Sequence, residues 1–426
     1  MAVPEDFLHY LWKFRLFEQR DLRTTSGEPI EILKVGIHNS HAGPDFEGAT
    51  IRIGGTLWVG NVEIHLRSSD WSRHNHQSDM AYDNVILHVV GKHDQDIVRS
   101  DQTMIPVLCL EHLTPKQITN KYLTLIECLD WIPCSRQIAE VDVFHIRNWL
   151  YRVGIERLEK KSATISYLLS ELNGSWDDAF YIFLAINFGF KVNAIPFEML
   201  ARSLPRRLVS RYKDRPLQIE ALIFGQAGFL NQPYQDEYPR LLTKEYSFLK
   251  KKHSLRSIDN YLWKYLRMRP ANFPTIRLAQ FASLIIRSNH LFSNVIAETD
   301  IAALIKMFDH LPVNKYWESH YRFDTDPVRC TCRLGKQSVN SILINTVAVF
   351  LMAYGRQVCS HEHVNRSIIL LENLEPETNS LISRFKEINI RPENAFFSQS
   401  LIELKKAYCD QKKCLSCGIG MKLLNI

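Results

Sequence analysis

In the stretch Glu5–Arg15 the apolar positions Phe7, Leu8, Leu11, Trp12 and Phe14 follow helical spacing and predict an amphipathic helix. After Ser26-Gly27 the period drops to two. Ile30, Ile32, Val35 and Ile37 predict a strand, and Ala49–Ile53 with Leu57–Leu66 predict a hairpin turning at Gly54-Gly55. The polar segment Ser68–Tyr82 reads as a short helix or ordered loop, Asn84–Val90 as a β-rich run and Met104–Leu110 as another strand. From about Ile118 the pattern is helical almost to the end, with long periodic runs at Ile138–Leu172 and Trp176–Phe188.

These elements predict an α/β (α+β) N-terminal domain with a small mixed sheet over residues 1–120. A larger, mainly α-helical region follows over 121–426 and ends in a cysteine-rich tail, with the boundary inside Leu110–Cys134. A chain of 426 residues exceeds what one core usually covers, which agrees with two domains. Ser341–Tyr354 and Phe180–Phe190 are the longest apolar stretches; both are too short to span a bilayer and read as buried helices, so no membrane partner is expected. Acids precede the first apolar run and no small-residue cleavage site follows it, unlike a secretory signal. Nine cysteines without a regular framework argue for a reducing compartment, and a cytoplasmic location is expected. The net charge of +6 is compatible with DNA or RNA as a partner but is modest for this length.

The polar chemistry is densest between Gly43 and Val90. Asp45 follows a Gly-Pro turn, and Glu63 and His65 stand two apart on one strand, so they share a face while Ile64 points the other way. If the hairpin forms, Asp45 comes near Glu63. Two carboxylates then make an oxygen-rich cradle for Mg²⁺ or Mn²⁺, and such an ion activates water and stabilises charge on a phosphoryl oxygen. His74, His76, Asp79 and His88 follow as groups lying behind this core or touching phosphate. The same residues also fit a transition-metal site, because imidazole-rich sets favour Zn²⁺, Mn²⁺ or Fe²⁺, with His74-x-His76-x-x-Asp79 closing the shell. The bland alternative is a buried polar network in which the histidines cap turns and bond backbone. Of the flanking aromatics, Trp71 and Tyr82 could stack on a base, whereas Trp58 is expected in the core. Ser68-Ser69-Asp70 resembles a helix N-cap rather than a nucleophile.

Asp45 after a proline, the acid-x-basic triplet Glu63-Ile64-His65 and the α-β-β-β order resemble the PD-(D/E)XK nuclease fold. The resemblance implies a metal-dependent nuclease that hydrolyses nucleic-acid phosphodiesters. Asp45 and Glu63 would bind the ion, and His65 would stand in the lysine position to orient or deprotonate water. A neutral imidazole does not supply lysine's fixed charge. That departure supports an alternative, a non-catalytic nucleic-acid- or protein-binding scaffold with a decayed nuclease core.

Cys409-x4-Cys414-x2-Cys417 near the end offers three thiols for zinc or an iron–sulfur cluster, either of which needs a fourth ligand. Cys134, Cys359, His361 and His363 are candidates, and similarity to iron–sulfur helicase-nucleases singles out Cys134. Arg267, Arg269, Asn272 and Arg277 could contact phosphates or could fix a proline-broken helix; Arg206, Arg207 and Arg211 read as a solvated basic face. Over nearly its whole length the chain resembles a bacterial family known only as domain of unknown function 2851. GPDF, GNVEIHLRSSDW, NVILHVV, FGQAGFL, RPANFPTIRLAQ and the terminal KKCLSCGIG carry that resemblance, which brings no activity with it.

Overall fold

The hairpin at Gly54-Gly55 forms and sits within a curled six-stranded mixed sheet. In this computed structural model, which describes residues 3–39, 41–330 and 332–424, the strands are β1 (Ile30–Lys34), β2 (Ile37–His38), β3 (Phe46–Ile53), β4 (Thr56–Arg67), β5 (Val85–Lys92) and β6 (Val107–Cys109). Ile53 pairs with Thr56 across a two-residue turn, and both glycines hold positive φ (56° and 92°), as the mirror-image hairpin turn requires. The order is β1-β3-β4-β5-β6, with β2 also on β3. Pairings are antiparallel up to β4, then parallel for β4–β5 and β5–β6. Val85–Val90 is buried at every position, as befits a parallel strand covered on both faces.

Helix α1 (Glu5–Phe14) buries Phe7, Leu8, Tyr10, Leu11 and Trp12, and the Trp12 indole donates to Val35 O at 3.0 Å. The crossover from β4 to β5 holds α2 (Asp70–Arg73) and two single 3₁₀ turns, His76–Ser78 and Met80–Tyr82. Trp71 is buried against Val85, Val90, Ile97, Ile105 and Val107, with Tyr82 packed on the same cluster. Trp58, expected in the core, is instead 42% exposed. It lies on the outer half of β4, where Thr56–Val59 are all exposed, so alternation along the strand does not reveal that this end has no covering layer.

The chain forms two compact units, Met1–Trp149 with Leu404–Ile426, and Leu150–Glu403. This division departs from the one expected at 120/121 because α3 (Lys116–Glu127) and the tail pack with the sheet unit: the helix Gly418–Leu424 lies on α3, and the turn Cys414–Ser416 on α1. Periodicity reports that a segment is helical, not whose core its apolar face joins. The second unit is helical. Trp176 stacks on Phe292 at 5.5 Å between ring centroids, and Phe180 and Phe350 join them. Ser341–Tyr354 belongs to a longer helix, Lys336–Gln357, interrupted by a π-helical turn at Leu343–Val347. With 22 residues it is long enough to cross a bilayer, contrary to the expectation from the apolar stretch alone, yet 78% of its most apolar window is buried inside the fold.

Candidate metal centre

The register of the sheet decides which side chains meet. Phe46 pairs with Val62, which leaves Asp45 beside Glu63, and Glu63 pairs with His88 across the parallel β4–β5 ladder. Asp45 and Glu63 hold each other through backbone. The Asp45 N–H donates to Glu63 Oε2 at 3.1 Å, and Asp45 Oδ2 accepts the Ile64 N–H at 2.9 Å. The remaining oxygen, Glu63 Oε1, lies 3.5 Å from His65 Nε2 and 3.4 Å from His76 Nε2.

Two of the imidazoles arrive from the crossover. Between His74 and His76, Asn75 adopts a left-handed conformation (φ 63°) that Asn tolerates better than most residues, and this turns both rings toward His65. His65 Nε2 is 3.0 Å from His74 Nδ1, and His65 and His76 stack at 5.3 Å between centroids. Among the described residues, His65, His74 and His76 form the group of three whose ligand atoms all lie within 4.8 Å of one another. Tyr82 stacks on the other face of the site at 3.8 Å from the His76 ring. His88 sits behind His65, its Nε2 at 2.8 Å from His65 Nδ1.

Burial sets the electrostatics. It pushes the His65 pKa down to about 3, helped by the neighbouring His76 and His74 rings, and holds His88 well below the ordinary imidazole value. Both rings are therefore neutral near pH 7, the form that ligates metal. Burial raises the Glu63 carboxyl, against the opposing pull of His76. His76 Nε2 is buried and completes no hydrogen bond, although a carboxylate oxygen faces it. A donor set of two buried imidazoles, the exposed His74 ring and one buried carboxylate, with an orphaned ring nitrogen, fits a divalent transition ion better than Mg²⁺, which prefers oxygen ligands and several waters.

Of the residues singled out from sequence, Asp45, Glu63, His65, His74, His76 and His88 are brought together. Asp79 is not part of the group: it is exposed, and its carboxylate caps the turn at Ala81 N. Ser69 occupies the N-cap position of α2 without a side-chain cap bond; its hydroxyl and that of Ser68 bond Asp94 instead. Sequence reasoning missed His9. It projects from α1 to place Nε2 at 3.3 Å from Asp45 Oδ2, and although burial works against its charge, Asp45 raises its pKa overall. A polar residue between Leu8 and Tyr10, both buried, was the signal. Arg277 is buried in the second unit, bonded to Gln280, Asn272 and Ser338 and lying over Phe190, so it fixes the helix start rather than a phosphate. Arg206 pairs with Asp177 and Asp178.

A family model described as protein of unknown function (DUF2851) matches residues 5–380. The chain belongs to the DUF2851 family. No curated protein and no solved structure matches it. The DUF2851 match takes in every residue of the site, from His9 to His88, and Cys134 as well; it ends before Cys409, Cys414 and Cys417.

Proposed function

We propose that the sheet unit is a metal-dependent hydrolase of nucleic-acid phosphodiesters, with its ion held by Glu63, His65 and His76 and by His74 at the solvent side. One observation carries the reading: a buried carboxylate oxygen faces two imidazole nitrogens at 3.4 and 3.5 Å, one of them without a hydrogen bond. Bound there, a divalent ion supplies Lewis acidity and lowers the pKa of a coordinated water. Mn²⁺ or Zn²⁺ suits this donor set, and Mg²⁺ suits it less.

The chain's own groups have distinct tasks in this reading. Asp45 fixes the Glu63 carboxylate through its N–H and is itself oriented by Ile64 N–H and His9. His88 sets the rotation of His65. His74, the exposed ring, has its Nδ1 3.0 Å from His65 Nε2 and closes the donor set on the solvent side. Support for a phosphodiester as the bond cleaved comes from the resemblance to PD-(D/E)XK nucleases. A helix, an antiparallel pair with an acid at its entry and another midway, and a parallel crossover follow in that order.

A second reading, a nucleic-acid- or protein-binding scaffold on the same core, is favoured by His65, which is neutral where the nucleases carry a charged lysine. The purified full chain, assayed with Mn²⁺, Zn²⁺ and Mg²⁺ on single- and double-stranded DNA and RNA, separates the two. Metal-dependent cleavage abolished by Asp45→Ala and Glu63→Ala supports the hydrolase. Nucleic-acid binding without cleavage under any metal leaves the scaffold.

A further inference from the structure

We propose that Cys134, Cys409, Cys414 and Cys417 ligate an iron–sulfur cluster in the sheet unit, a second metal centre that shares no residue with the histidine site. The fold gathers these thiols from the two ends of that unit. Cys134 follows α3 and opens the turn Ile138–Glu140, its carbonyl accepting the N–H groups of Gln137 at 3.1 Å and Ile138 at 2.8 Å. The helix Gly418–Leu424 packs on both α3 and that turn, which carries Cys414 and Cys417 to Cys134. Cys134 interacts electrostatically with Cys417 and Cys414, and Cys409 interacts with all three. Cys134, Cys414 and Cys417 are buried, and none of the nine cysteines forms a disulfide.

The local backbone is arranged for a charged sulfur. The backbone N–H groups of Ile419 and Gly420 are turned toward Cys417 Sγ. A neutral thiol is a weak acceptor, so two backbone donors turned on one sulfur gain most when it is a thiolate. The glycines make the loop possible. A Cβ on Gly420 would fall 2.3 Å from the Cys414 carbonyl oxygen, and one on Gly418 would fall 2.7 Å from the Trp149 ring.

Spacing selects the kind of metal. Tetrahedral zinc with Zn–S near 2.3 Å draws its sulfurs to within about 3.8 Å of one another. Among the described residues no three of these sulfurs lie within 4.8 Å of one another. That suits a polynuclear cluster, in which each cysteine takes a different iron. Cys128 lies near Cys134 and Cys414, but its thiol bonds Asp130, which leaves it outside the ligand set.

The test uses the full chain purified without oxygen, or reconstituted with ferrous iron and sulfide. The expected result is several irons per chain with matching acid-labile sulfide and broad visible absorption. Cys134→Ser and Cys417→Ser should lose the iron while far-UV circular dichroism shows the fold retained; Cys128→Ser and Glu63→Ala should keep it. Glu63→Ala makes failure of the hydrolase reading distinguishable from failure of this one. Zinc without sulfide, disulfides among these cysteines, or iron retained in Cys134→Ser and Cys417→Ser would each overturn the proposal. Should both serine variants unfold, wild-type chain that takes up neither iron nor sulfide on reconstitution overturns it equally.

Discussion

His88 Nε2 lies 2.8 Å from His65 Nδ1, and both rings are buried within the sheet unit. Two neutral imidazoles share one proton across this contact. If His65 offers Nε2 to an ion, its proton must reside on Nδ1 and be donated to His88 Nε2. His88 then carries its own proton on Nδ1, which is buried with no partner. That arrangement fixes the tautomer and rotation of His65 at the cost of one unsatisfied donor.

Removing His88 should therefore loosen the ion without touching it. His88→Ala is expected to weaken Mn²⁺ or Zn²⁺ binding by roughly 10- to 100-fold, as losses of the group behind a metal-bound histidine commonly do. His88→Asn, which still accepts from Nδ1, should recover part of the affinity. Calorimetric titration of apo-protein reads both. Equal affinity in all three chains would remove His88 from the site.

Glu220 gives the second unit a pH signature. Burial pushes its carboxyl from 4.5 up to about 7, although Tyr238 and Asn314 pull the other way. The folded state thus holds the proton more tightly than the unfolded chain. Its contribution is fully present below pH 4.5 and is lost as pH rises through 7. At 1.36 kcal/mol per pH unit the loss is at most about 3 kcal/mol. Glu220→Gln should flatten the profile, so that wild type falls relative to the variant between about pH 5 and 8 in urea midpoints. Parallel profiles would show that the carboxyl titrates normally.

The two tryptophans near the site should behave oppositely. Trp71 is 1% exposed in the core under the crossover, and Trp71→Ala should cost roughly 3–5 kcal/mol. Trp58 is 42% exposed, and Trp58→Ala should stay within about 0.5 kcal/mol of wild type. Chemical denaturation measures both. A large loss at Trp58 would mean that another surface covers the outer end of β4.

The site was largely legible because strand alternation is a local rule. Glu63 and His65 share a face whatever the rest of the chain does, and the glycine turn places Asp45 beside them. His9 escaped because it reaches the site from a helix, and helix-to-sheet docking leaves no periodic trace. Asp79 was overcalled for a related reason: its spacing from His76 suggested a ligand, but the short turn uses its carboxylate as a cap. The extent of the first unit was illegible for the same cause as His9, since α3 and Gly418–Leu424 read only as apolar helices until they meet.

A unit assembled from Met1–Trp149 and Leu404–Ile426 has a consequence for the order in which it can be made. The ribosome delivers the sheet, α1 and α3 first, then spends on the order of tens of seconds on the intervening helices before Gly418–Leu424 emerges. Throughout that interval the surface of α3 that Gly418–Leu424 will cover stands open, and Cys134 waits beside it without its tail partners. Nascent chains of this protein thus carry an unfinished apolar face until Gly418–Leu424 emerges. A chaperone has its longest opportunity to act there, on α3.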